Sequence, residues 1–118
     1  MTTEATLFDT LKTLVSSRVY PDVAPAGKVV PYITYQQVGG EALAFVENTL
    51  PSSKNGRYQV NVWASTRAAA AALALQVEAA LVQASAFQAR AVGAPVATHD
   101  TELDLYGTLQ DFSIWSTR

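Results

Sequence analysis

At 118 residues, with 49% apolar and only 15% charged side chains, the chain fits one domain with a real core, and it carries little charge for a monomer that stays soluble alone. Its formal net charge is −2, and its eight basic residues are scattered singly, without the basic face or stripe that marks a nucleic-acid binder. It has no cysteine, which excludes disulfides, thiolate metal sites and a cysteine nucleophile.

In chain order, Leu7, Leu11, Leu14 and Val15 recur at helical spacing, which predicts a first helix near residues 4 to 16. Thr3 is its expected N-cap, and Ser16-Ser17 end the pattern. The start, "MTTEATLFDTLKTL", carries Glu4 and Asp9, whereas a signal peptide has a basic start and an unbroken apolar run. The longest apolar run, "AAAAALAL", is far short of a membrane span. The expectation is a soluble protein made and used in the cytoplasm, or in something assembled there.

Residues 18 to 37, "RVYPDVAPAGKVVPYITYQQ", hold three of the five prolines and three of the five tyrosines. Proline fixes φ and pushes the preceding residue towards extended geometry. Tyr20-Pro21-Asp22-Val23 suits a type I turn, and Ala24-Pro25-Ala26-Gly27 suits a second. Pro31 fits the first position or the edge of a strand. The segment reads as a stiff connector that fixes where the strand "YITYQQV" begins.

Gly39-Gly40 end that strand, and "EALAFVE" reads as a return strand. "NTLPSSKNG" reads as a loop, from Asn, Pro, Ser-Ser and Asn-Gly. In "RYQVNVWA", Tyr58, Val60 and Val62 point one way, and Arg57, Gln59, Asn61 and Trp63 the other. Ser65 or Thr66 caps a second helix over about residues 66 to 84. Leu73, Val77 and Leu81 form one ridge of it, with Leu75 and Val82 almost opposite. A helix apolar on two sides is buried on two sides, so the second side needs helix one or a neighbouring chain.

A short strand follows around Ala89 to Val92, then a Gly-Ala-Pro turn and an extended stretch in which Asp100, Glu102 and Asp104 alternate with Thr101, Leu103 and Leu105. Gly107 breaks it, and "LQDFSIWST" is the last strand, with Phe112 and Ile114 on one face and Asp111, Ser113 and Trp115 on the other. The order implies an α+β layer, a mainly antiparallel sheet of four to five strands with two helices packed on one face.

Catalytic signals are weak. His99 is the only histidine, and an exposed position at a loop or strand end explains it better than a general base. Nucleophile-elbow, phosphate-loop and dinucleotide motifs are missing. Asp100, Glu102 and Asp104 supply hard oxygens that suit Ca²⁺ or Mg²⁺. Alternate strand residues sit nearly ~7 Å apart, however, so a solvated strand face is the better reading and no metal or cofactor is expected. Trp63 and Trp115 lie on the polar faces of their strands. They pack together at one rim of the sheet, or they mark a face that meets another subunit; in either case adjacent strands and one face are expected.

The segments "RVYPDVAP", "PYITYQQVGG", "RYQVNVWASTRAAA" and "DLYGTLQDFSIWS" carry a resemblance, above all at Arg18, Val19, Tyr20 and Pro21, at Pro31 and Tyr32, at Val60 and Trp63, and at Leu105 and Tyr106. In this order and spacing the chain resembles, over essentially its whole length, the tail-completion proteins of long-tailed bacteriophages and prophages. The resemblance implies a single tail-terminator domain over 1–118 and no enzymatic activity. It implies a ring, of six copies, that sits on the end of the tail tube, stops its growth and presents a surface to the head. The implied partners are further copies of the chain, the major tail tube protein and a head–tail connector protein; the implied place is the head-proximal end of the tail. Two other readings stand beside it: a head-closure or neck adaptor, and a small enzyme or ligand-binding domain.

Contact residues do not carry over from the family and are read from this chain. Those expected at a subunit or tube interface are Leu50, Lys54, Arg57, Trp63, Leu75, Val82, Asp100, Glu102, Asp104 and Trp115. Residues 47 to 57 are expected to form a loop longer than a hairpin needs. It is either an assembly arm, mobile in the free subunit, whose Lys54 and Arg57 meet the acidic stripe of a neighbour, or a solvated loop without a role.

Overall fold

A computed structural model describes residues 2–27, 29–42 and 50–118. Helix α1 spans Thr3–Leu11 and runs into a 3₁₀ turn, Lys12–Leu14. Strand β1 is Val19–Pro21, β2 is Tyr32–Gln37 and β3 is Ser53–Ala64. Helix α2 is Arg67–Gln83, and strands β4, β5 and β6 are Gln88–Ala91, Val96–Asp100 and Leu105–Thr117. The fold is α+β, with a mixed, mostly antiparallel sheet of six strands among the described residues, ordered β1-β2-β3-β6-β4 with β5 also on β6.

The spine of the sheet is the β3–β6 ladder. It pairs twelve residues of β3 with β6 without a register break, from Ser53↔Thr117 to Ala64↔Tyr106. Strict alternation drives it: Tyr58, Val60, Val62 and Ala64 are buried, and so are Phe112 opposite Tyr58 and Ile114 opposite Gly56. Both helices cover this side. Leu73, Val77 and Leu81 of α2 and Leu7 and Leu11 of α1 join the strand residues in one core. Completely burying such side chains stabilises by about 1.5–3 kcal/mol each.

Both helix N-termini are capped by threonine. Thr66 accepts from the Ala69 N–H at 3.1 Å, and Thr2 accepts from the Ala5 N–H at 3.1 Å. The cap of α1 is therefore Thr2 and not Thr3. Thr3 falls in line with Leu7 and Leu11 at spacing of four, is buried, and bonds Ser116 Oγ at 2.8 Å.

Four expectations are corrected. First, Tyr20-Pro21 lies in a strand: β1 pairs in parallel with β2, Val19 opposite Ile33 and Pro21 opposite Tyr35. Being at the sheet edge, β1 tolerates proline. The Ile33 N–H donates to Arg18 O at 2.9 Å, and the Arg18 Nε–H donates to Pro31 O at 2.9 Å, so the connector is tied down at both ends. Second, residues 53–57 are strand, not loop. Asn55 and Gly56 have turn propensity, but the ladder overrides it: they pair with Trp115 and Ile114. A Cβ at Gly56 would lie 2.5 Å from the Tyr58 ring, so the glycine there makes room for an aromatic side chain.

Third, Gly107 lies inside β6 rather than ending a strand. A Cβ there would lie 2.6 Å from Val62 O and 2.7 Å from the Trp63 ring, which covers this glycine from the facing strand. Fourth, the acidic stretch is not one extended segment. Thr101–Asp104 form a turn joining β5 to β6, with Asp100 paired to Leu105. The return strand read in "EALAFVE" lies mostly outside the described residues; Glu41 and Ala42 are not in a strand.

Candidate functional site: the open face of the sheet

Because both helices pack on one side, no helix among the described residues lies on the other side of the sheet, although Tyr32 and Thr34 on it are buried at the β1 edge. Its composition follows from strand parity. Tyr32, Trp63 and Gly107 form one cross-strand row; Thr34, Asn61 and Leu109 the next; then Gln36, Gln59 and Asp111. Arg57, Ser113 and Arg90 follow, and Asn55, Trp115 and Gln88 close the face. Trp63 and Trp115 thus share adjacent strands and one face, as expected. They do not meet at one rim: Trp115 pairs with Asn55, eight residues along β3 from Trp63, and the indoles mark opposite ends.

At the Trp115 end, Arg57 binds Asp111 through Nε at 2.8 Å and through a second nitrogen at 2.7 Å. This pair is solvent-exposed on the arginine side and contributes about 0.2–1 kcal/mol. Arg57 thus finds a carboxylate within its own chain. Asp111 Oδ1 is buried and has no donor among the described residues. Asn55 donates to Ser113 Oγ at 2.9 Å and accepts from the Glu41 N–H at 2.9 Å, which fastens the chain after β2 to this end.

At the Trp63 end, Asp100 Oδ1 accepts from the N–H groups of Glu102 and Leu103 at 3.0 and 3.2 Å. This side chain-to-backbone turn explains why the acidic stretch folds back. Asp104 turns the chain with φ 51° and binds His99 Nε2 at 3.0 Å. His99 also lies against Tyr106, ring centroids 4.6 Å apart, and Arg67 sits over the same Tyr106 ring while donating to Gly107 O and Thr98 O. These contacts brace the start of α2 against β5 and β6. His99 thus has a structural partner on each side.

The remaining expected residues are spread over the molecule. Leu50 is exposed just before β3, and Lys54 is half-buried within it. Leu75 and Val82, 66% and 50% exposed, are on the outer side of α2, so helix one does not cover them. Glu102 is exposed in the turn, and with Asp100 and Asp104 it forms no common stripe. Sequence reasoning missed Arg90 and Asp22, both exposed at the sheet edges; each lies in a segment whose strand the alternation did not reveal or left too short to phase.

Three tyrosines have pKa values raised from the ordinary 10.0. Burial is the main cause for Tyr32, Tyr35 and Tyr58 alike, followed by the carboxylate of Asp100 for Tyr32 and that of Glu4 for the other two.

Comparison with known families adds one finding. A family model described as tail completion protein gp17 matches residues 7–117, from α1 through the end of β6. No curated protein matches the chain.

Proposed function

The chain belongs to the tail completion protein gp17 family of phages, and from that membership we propose that it is a tail terminator: a virion structural protein that forms a ring on the end of the tail tube, stops its polymerisation and provides the surface for head joining. The observation that carries this reading is the family match across residues 7–117, nearly the whole chain. Its partners are then further copies of itself, the major tail tube protein and a head–tail connector protein. Its place is the head-proximal end of the tail, in particles assembled in the host bacterial cytoplasm, and its role is structural rather than catalytic.

The physical character of the chain supports a subunit of an assembly. Between Arg67 and Gln83 the only charged side chains are Arg67 and Glu78, and both are engaged within the chain. The outer side of α2, with Leu75, Val82 and alanines, therefore presents an uncharged surface. A ring needs two different patches on each copy that meet head to tail.

Electron microscopy of particles made without this gene is the test. Overlong or ragged tubes are the expected result. Normal tails beside unjoined, filled heads would overturn the terminator reading and assign the chain to head closure or the neck.

A further inference from the structure

Two of the depressions on the open face of the sheet lie at opposite corners. One, of about 340 Å³, lies at the β4 edge and is lined by Arg57, Arg90, Glu41 and Trp115, so two cations face one carboxylate there. The other, of about 260 Å³, reaches the β1 edge; Asp22, Asp100 and Trp63 line it, and no cation does. Arg57 is already answered by Asp111, whereas Arg90 and Asp22 have no side-chain partner among the described residues. The acidic corner is also the more apolar one: Val23 and Leu103, which flank it, are 78% and 51% exposed.

The two corners carry opposite charge but look the same way, because Trp63 and Trp115 are an even number of residues apart in the ladder. A patch cannot meet another that points in its own direction by a head-to-tail rotation about a ring axis. A two-fold axis lying between two opposed faces brings both pairs together at once. We propose that two copies of this chain pair face to face through the open side of the sheet. The Arg90 corner of each copy lies on the Asp22 corner of the other, and each Trp115 covers the partner's exposed apolar rim. Since the corners are diagonal, the strands of the two sheets cross steeply, close to the orthogonal class of sheet packing.

The size of the face sets the strength. Strand spacing near ~4.8 Å and a rise near ~3.4 Å give roughly 500 Å² of face per copy. That places the pair among small, reversible interfaces, below about 1,200 Å² in total. The contact is separate from the head-to-tail contact of a ring and does not rest on the tail-terminator reading.

Sedimentation equilibrium of the purified full chain, from about 10 µM to 1 mM at low salt, is the test. A monomer–dimer equilibrium that weakens as salt rises is expected. Arg90→Glu and Asp22→Lys should each reduce self-association at least about tenfold, one tenfold step being ~1.4 kcal/mol. Mixing the two variants should restore it, because in the mixed pair both corners regain opposite charges. Asp22 sits at φ 63°, so Asp22→Asn, which suits that backbone, serves if the lysine variant fails to fold; its association should fall about threefold. A chain that stays monomeric throughout, association unchanged in Arg90→Glu, or a mixture no stronger than its components would each overturn the proposal; so would Asp22→Asn at full strength.

Discussion

Gly107 illustrates how much a single residue decides here. With no side chain, it lets the Trp63 ring lie across the β3–β6 ladder, and backbone as well as indole stands in the way of a Cβ. Gly107→Ala is expected to destabilise the fold by about 1–3 kcal/mol, the range for forcing volume into a packed site. Urea denaturation measures the loss, and a red shift of tryptophan emission would report the displaced indole. The tyrosines make a second prediction. Tyr32, Tyr35 and Tyr58 hold their protons more tightly in the folded chain than the unfolded chain does at 10.0. Their contribution is therefore complete below pH 10 and is lost as pH rises from there through the raised folded values. Unfolding midpoints should be level across pH 8–9.5 with respect to these groups and then decline, in step with tyrosinate absorbance. A midpoint that rises above pH 10 would contradict the burial of these rings.

Elements show where local preference wins and where it loses. In α2 everything agrees: a threonine cap, an alanine-rich body and a buried ridge at helical spacing. Thr66→Ala should cost about 1 kcal/mol by removing the cap. Leu81→Ala, at a completely buried site, should cost about 2–5 kcal/mol; thermal denaturation separates the two. In β1 the proline suggested a turn, yet the Ile33 N–H of β2 donates to Arg18 O and the Asp22 N–H donates to Tyr35 O of β2, and these bonds hold an edge strand in place. Pro21→Gly is expected to lower stability by up to about 1 kcal/mol, largely by freeing the unfolded chain. The start of β3 shows the reverse of α2. Asn55-Gly56 resembles a hairpin turn in isolation, but opposite Trp115 and Ile114 the same two residues extend a ladder.

For the molecule as a whole, folding leaves one apolar surface unused. The core is built from one side of the sheet and the inner sides of both helices, whereas Leu75 and Val82 contribute nothing to it. Leu75→Lys should therefore leave the melting temperature of the free chain nearly unchanged, within about 0.5 kcal/mol of stability. If the outer side of α2 is a ring contact, the same variant will fold and yet give tails of uncontrolled length. Normal tails with Leu75→Lys would remove that surface from the ring.

The α+β class, both helices and the phases of β3 and β6 were determined by the sequence alone, because each rests on a repeated period that burial enforces over many residues. The family resemblance was legible for a similar reason: it is spread over four segments, from Arg18 to Tyr106, and not concentrated in one motif. Short elements were not legible. β1 is a strand only because β2 lies beside it, Asp100 starts a turn only because its side chain finds two backbone N–H groups, and Gly56 and Gly107 stay within strands only because Tyr58 and Trp63 occupy the space a side chain would take. The same holds for the candidate site. Alternation placed Trp63 and Trp115 on one face, but register set them eight residues apart along β3, and the sheet order put Asp22 and Arg90 on opposite edges. Those are relations between distant parts of the chain, and they exist only once the strands have chosen their neighbours.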